Sequence, residues 1–158
     1  MMDSQMLENY ANEFLQKNFN LSLAVPVRIS KRMTAKLGAF QIKYKNSKVI
    51  VEEIVMSHNF VIHNAAPTIL DVLYHECVHY ALYATGQPYR DSDRTFTDTL
   101  KRLGISKTQT YKYKGQSHLY ECRKCRYQFT RQVKGYEKRY ICRNCRGQFS
   151  YKGVVMQE

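Results

Sequence analysis

No apolar run in this chain approaches the ~18 residues that a membrane-spanning helix needs. The N-terminal stretch from Met1 to Phe19 is polar and mixed in charge, and it lacks the apolar segment of a secretion signal. Together these absences predict a cytoplasmic chain without a membrane partner, in a compartment where disulfides are rare. Histidine is scarce, with five in 158 residues, and none falls between His79 and His118. Acidic residues are almost missing from the C-terminal part. Residues 1–100 hold ten Lys/Arg against ten Asp/Glu, whereas residues 101–158 hold fifteen against three, so the whole net charge of +12 sits in the last 58 residues. A block so depleted in carboxylates attracts polyanions, and nucleic acid is the commonest of these.

The residues that are present set a sharper reading. His75-Glu76-Cys77-Val78-His79 is an H-E-x-x-H pattern. On a helix, positions i and i+4 share one face, one turn apart. Two imidazoles so placed chelate a zinc ion, and Glu76 beside them takes a proton from a water polarised by the metal. The surroundings predict the helix. Pro67 suits a first turn, Thr68 with Asp71 has the spacing of a capping box, and Gly86 sits where a left-handed cap ends a helix. The predicted span is Pro67 to Thr85.

A catalytic zinc commonly takes three protein ligands. With no histidine between His79 and His118, the nearby candidates are Asp91, favoured, and Asp93 as second choice. Asp93 also stands where a second short helix, Thr95 to Leu103, needs an N-cap. His58 and His63 are read as polar surface, not as ligands.

The chain before this motif predicts a helix from Ser4 to Phe19, with Met6, Leu7, Tyr10, Phe14 and Leu15 at helical spacing. Alternating apolar and polar residues then predict strands at Val25–Met33, Leu37–Tyr44 and Lys48–Met56, joined as an antiparallel meander that the H-E-x-x-H helix covers.

Cys122-x-x-Cys125 and Cys142-x-x-Cys145 are separated by 16 residues and embedded in near-repeats, Cys-Arg-Lys-Cys-Arg-Tyr-Gln-Phe and Cys-Arg-Asn-Cys-Arg-Gly-Gln-Phe. Two such knuckles read as a structural zinc ribbon of short strands, with a turn near Lys134-Gly135. Cys77 is read as a small packed hydrophobe. Arg123, Lys124, Arg126, Arg131, Lys138, Arg139, Arg143 and Arg146 decorate the ribbon. Tyr127, Phe129, Tyr136, Tyr140 and Phe149 lie among them, available to pack or to stack on bases. Basic groups with aromatics suit single-stranded nucleic acid with little sequence preference. The expected division is a domain over residues 1–108, a linker over 109–117 and a ribbon over 118–153.

The order of helix, strands, H-E-x-x-H helix, short helix and basic four-cysteine ribbon resembles the SprT-like family in its short bacterial form. The residues carrying the resemblance are His75 to Tyr80, Gly86, Phe96 and the two cysteine pairs. The resemblance implies an α+β fold, in which a zincin-like metalloprotease domain precedes a small β zinc ribbon. It also implies one catalytic and one structural zinc. The Spartan proteases, eukaryotic relatives, degrade proteins crosslinked to DNA and are switched on by DNA. Members of the family usually carry a third histidine a few residues before the aromatic that matches Phe96. Here that place falls on Asp91 or Ser92, depending on register.

Two functions of different class follow. One is a metallopeptidase acting on proteins bound or crosslinked to DNA. The other is a catalytically degenerate nucleic-acid-binding zinc protein with a regulatory role, which needs zinc only at the cysteines and has no use for Glu76.

Overall fold

The computed structural model describes residues 2–107 and 115–157. The chain divides into two compact units, Met1–Lys112 and Tyr113–Glu158. Most of the expected linker, residues 109–114, lies outside the described residues, and its last three residues already belong to a strand that starts at Gly115. Among the described residues no helix is long and apolar enough to cross a membrane.

The first unit opens with α1, Ser4–Phe19, capped by the Asp3 carboxylate, which accepts from the Met6 N–H at 2.8 Å. Leu7, Ala11 and Leu15 form its buried stripe, each at 0% exposure, at a spacing of four. Met6 and Tyr10, which share the apolar spacing read from the sequence, are 40% and 36% exposed. The small Ala11 is what lets α1 approach its neighbours, and a pattern read only from large side chains misses it.

Three strands follow: β1 (Val27–Ser30), β2 (Gly38–Lys45) and β3 (Lys48–Ser57). Their order is β1-β3-β2. β2 and β3 form a hairpin, with Lys45 opposite Lys48 and the two turn residues, Asn46 and Ser47, at φ 51° and 64°. Those left-handed angles match the two-residue turn that suits the natural strand twist. β1 pairs in parallel with β3, with Val27 opposite Ile54. The expected antiparallel meander is therefore corrected to a mixed sheet. The reason is the connection over residues 31–37. It is too long for a tight turn, and it crosses the end of β3, where Ser57 donates its N–H to the Leu37 carbonyl (2.9 Å) and its hydroxyl to the Met33 carbonyl (3.1 Å).

A short helix, α2 (His58–His63), occupies a stretch read from sequence as loop. The Ser57 hydroxyl caps it, and Phe60 and Val61 are buried on its inner side. His63 turns its Nδ1 to the Asn59 carbonyl at 2.8 Å.

α3, Ala66–Ala84, is the central element. Every residue from His75 to Leu82 is buried. The expected capping box is absent. Ala65 holds the N-cap without a side-chain bond, Pro67 lies in the first turn, and the Asp71 carboxylate accepts from the Ser106 N–H at 3.2 Å. At the other end Gly86, at φ 72°, donates to the Tyr83 carbonyl and Gln87 donates to Leu82 at 2.8 Å. This pair of bonds is the Schellman closure that a glycine permits. α4 spans Arg94–Leu103 and ends at Gly104, φ 68°.

On the sheet face away from α3, Arg28 makes a two-point bond to Glu53, at 2.8 and 3.1 Å. The hydrogen bonds from Arg28 hold the Glu53 carboxyl below the usual range, against the opposing effect of burial. Its ionised form therefore stabilises the fold above the ordinary carboxylate range, and that contribution is lost as the pH falls through the lowered value. Glu53→Gln is expected to cost about 1 kcal/mol at pH 7, discounted because Arg28 is half exposed. Denaturant titration should show the difference from wild type shrinking toward zero in acid. A constant difference would remove the ion pair as its cause.

The second unit is a three-stranded sheet of order β5-β4-β6, with β4 at Gly115–Cys122, β5 at Gln128–Arg131 and β6 at Phe149–Gln157. A 3-10 turn, Tyr136–Lys138, follows Gly135, φ 88°. Tyr140 and Ile141 lie outside the three strands, and an isolated bridge pairs Ile141 with Gln148.

Candidate metal centres

α3 sets His75 and His79 one turn apart, with ring centroids separated by 5.0 Å. The chain after the glycine closure returns over this face. The His79 Nδ1 meets the Tyr89 carbonyl, and the His75 Nδ1 meets the Ser106 carbonyl at 3.3 Å. A carbonyl can only accept, so each Nδ1 carries a proton, and in the neutral ring that tautomer leaves the lone pair on Nε2. Those two Nε2 atoms face one carboxylate oxygen, Asp91 Oδ1, at 3.5 Å from His75 and 3.2 Å from His79.

Phe96, on α4, is 1% exposed and fixes both rings. It stacks on His79 at 3.8 Å and 9°, and meets His75 edge-on at 5.1 Å and 78°. Burial, then the neighbouring His79, holds the His75 imidazole below its usual range and so in its neutral form. Asp93, the second choice, does not join the group. Its carboxylate accepts from the Arg90 N–H at 2.9 Å while its own N–H bonds the Arg90 carbonyl, also at 2.9 Å. Asp93 thus ties off the turn that carries Asp91.

Glu76 lies on the same helix, 4% exposed, with the backbone of β2 beside it. A Cβ on Gly38 would stand 3.4 Å from Glu76 Cγ and 2.9 Å from Met56 Sδ, so the close approach of β2 needs glycine there. Burial, and after it the charge of Asp91, pushes the Glu76 carboxyl up to about 8, against the Phe40 N–H that hydrogen-bonds it and the charge of Lys36. A cation among His75, His79 and Asp91 opposes that rise.

The three donor atoms lie within 4.8 Å of one another. Zinc bonds of about 2.0–2.1 Å to nitrogen and oxygen put tetrahedral donors about 3.3 Å apart. The two separations from Asp91, 3.2 and 3.5 Å, bracket that value, and two imidazoles with a carboxylate are donors that zinc accepts. Tyr80 and Tyr83 turn away from it. The Tyr80 hydroxyl accepts from the Ala24 N–H at 3.1 Å, and the Tyr83 hydroxyl donates to Glu52 at 2.6 Å.

The four ribbon cysteines also converge, with Cys122 and Cys145 Sγ atoms 3.4 Å apart and those of Cys125 and Cys142 3.8 Å apart. Zinc–sulfur bonds of about 2.3 Å set tetrahedral sulfurs about 3.8 Å apart. The two knuckles close alike. Arg126 N–H bonds the Cys122 carbonyl and Cys122 N–H bonds Tyr127; Arg146 N–H bonds the Cys142 carbonyl and Cys142 N–H bonds Gly147. The N–H groups of Cys125 and Lys124 lower the Cys122 thiol to about 6, and those of Cys145 and Asn144 lower Cys142. A Cβ on Gly147 would come within 2.8 Å of Cys122 Sγ, so the second knuckle can close over the first only with glycine there.

All eight basic residues singled out on the ribbon are exposed. Arg131 also lies over the rings of Phe129 and Tyr136, at 4.8 and 5.2 Å, and so helps to cover the small core. Of the aromatics, Tyr127 and Tyr140 stand 57% and 53% exposed, while Phe149 is buried.

The carbonyls of Tyr89 and Ser106 were invisible in the sequence, since every residue has a carbonyl. Phe96 was legible as an apolar residue of α4, but its role as a platform for both rings was not.

A family model described as the SprT-like family matches residues 4–118. The chain belongs to the SprT-like family. A protein named SprT-like from Bacillus velezensis is 22% identical over 135 residues, covering 83% of this chain and 86% of that protein. One from Bacillus cereus is 24% identical over the same length, covering 83% and 84%. A third, from Anoxybacillus flavithermus, is 34% identical over 73 residues, covering 40% and 44%. Membership carries metallopeptidase-type chemistry as the family's expectation; the residues that would perform it here are taken up next.

Proposed function

We propose that the chain is a zinc-dependent peptidase acting on proteins bound or crosslinked to nucleic acid, with the basic ribbon as a nucleic-acid contact. The observation that carries this reading is the meeting of His75, His79 and Asp91 beside the buried carboxyl of Glu76. His75, His79 and Asp91 would hold one zinc, and Cys122, Cys125, Cys142 and Cys145 a second. When bound at the first site, zinc supplies Lewis-acid chemistry, polarising a carbonyl and acidifying water.

The chain's own groups do the rest. Glu76 accepts a proton from the attacking water and hands it to the leaving amine. Its burial keeps bulk water from competing for that proton. Phe96, Tyr89 and Ser106 hold the imidazoles in one orientation and one tautomer. β2 passes Glu76 and is an edge strand among the described residues, so an extended peptide can pair with it and lie across the site. The ribbon contributes a high local concentration of substrate, so that cleavage without sequence preference stays confined to protein held on nucleic acid.

The test uses a protein crosslinked to a single-stranded oligonucleotide and the same protein free. Cleavage is expected to be at least tenfold faster for the crosslinked form, to stop with a zinc chelator and to return with added zinc. Equal rates for the two forms would remove the nucleic-acid half of the reading. Absence of cleavage in the zinc-loaded protein would remove the peptidase half.

A further inference from the structure

The net charge of the first hundred residues hides a segregation. No Asp or Glu occurs between Glu13 and Glu52, while eight Lys/Arg do. Three of these lysines gather at one place, the tip of the β2–β3 hairpin. Lys45 lies directly opposite Lys48, and Lys43 lies two residues back along β2, so the strand alternation puts all three on one face. Like charges directly opposite each other on a sheet repel. Among the described residues none of the three makes an ion pair, and the nearest carboxylate on that face, Glu53, is already held by Arg28. Every residue from Lys43 to Ile50 is exposed. The other face of the tip carries Tyr44, 60% exposed, in line with Ile42 and Phe40.

Lys43 is near enough for its charge to act on Glu53, but Lys45 and Lys48 at the tip face no carboxylate in an ion pair among the described residues. The fold thus projects a two-stranded ribbon with excess positive charge on one face and an open aromatic ring on the other. That pairing suits phosphates and bases. The same strand, β2, begins against Glu76. At ~3.3 Å per residue, Lys45 stands about 23 Å along the strand from Gly38. A protein attached to nucleic acid at the tip is then within a small domain's width of the candidate proton acceptor.

We infer that the β2–β3 hairpin, through Lys43, Lys45, Lys48 and Tyr44, is a nucleic-acid-binding element inside the peptidase unit, separate from the cysteine ribbon. This rests on the reading that the chain works on nucleic acid. Charge complementarity selects the partner. The exposed Val49 and Ile50 would also suit an anionic membrane, and the test separates the two.

The experiment measures binding of the full chain to a fluorescent single-stranded DNA oligonucleotide across a salt series. It compares wild type, Lys43→Gln/Lys45→Gln/Lys48→Gln, and Arg126→Gln/Arg143→Gln/Arg146→Gln. Relief of like-charge repulsion should leave the melting temperature of the lysine variant unchanged or raised, so lost binding cannot be put down to misfolding. Loss of three phosphate contacts should lower the slope of log affinity against log salt by about 2, and affinity at low salt at least tenfold. Wild-type slope and affinity in the lysine variant, with a loss in the arginine variant, would overturn the hairpin site and leave the ribbon reading standing. Binding of wild type to phosphatidylserine vesicles but not to DNA, lost in the lysine variant, would overturn it in favour of a membrane. Binding of wild type to neither would overturn both the hairpin and the nucleic-acid reading.

Discussion

Glu76→Gln is expected to lower peptide hydrolysis by about a thousandfold or more while zinc content and DNA binding stay at wild-type values. The substitution is nearly isosteric. The glutamine carbonyl oxygen can still accept from the Phe40 N–H, and the close approach of Gly38 to the side chain is undisturbed. What disappears is the ability to take a proton and return it. Burial already works against a charge at this position, so the fold has no need of a carboxylate there, and the variant should melt no lower than wild type. Unchanged hydrolysis in a zinc-loaded Glu76→Gln protein would transfer the proton-accepting role elsewhere and empty the mechanism of its main residue.

The second large effect belongs to the cysteine unit. Its buried core consists of Tyr120, Phe149, Cys122 and Cys142, with Phe129, Tyr136 and Cys145 half-buried against them. A unit of this size buries too little apolar surface to fold by that means alone. Structural zinc in such modules contributes ~10–16 kcal/mol of apparent binding energy, most of which is folding energy. Cys142→Ser, or chelation, should therefore unfold residues 115–157 outright. The signature is loss of near-ultraviolet circular dichroism from the packed tyrosines, together with rapid proteolysis after Arg and Lys in that region. The helical signal of the first unit should persist, because α1, α3 and the sheet pack around a core of their own. A ribbon that kept its tyrosine signal without metal would show that its aromatic packing suffices.

How far the sequence discloses this molecule depends on the range of the interaction. α1 and α3 were legible within one or two residues, because capping and apolar periodicity are local. The two knuckles were legible because each needs only four residues and a fixed spacing. The parallel pairing of β1 with β3 was not, since it is settled by where residues 31–37 cross the end of β3 and by no local pattern. α2 was missed because its signal, Ser57 before Phe60 and Val61, is one turn long. The placement of Asp91 opposite both imidazoles was an inference from elimination; the fold supplies its cause in the glycine closure at Gly86 and the turn tied by Asp93. The hairpin lysines vanished into a net charge of zero, because charge counted along a chain does not say which face it occupies.

The central claim is that two imidazoles and one aspartate make a working zinc site. Native mass spectrometry of the zinc-loaded full chain tests it most directly, comparing wild type, His75→Ala/His79→Ala and Asp91→Ala. Wild type should carry two zinc ions and the double variant one. Asp91→Ala should bind its second ion at least tenfold more weakly. One zinc in all three proteins, even with excess zinc present, would contradict the claim and leave the cysteine ribbon as the only metal centre of a nucleic-acid-binding protein.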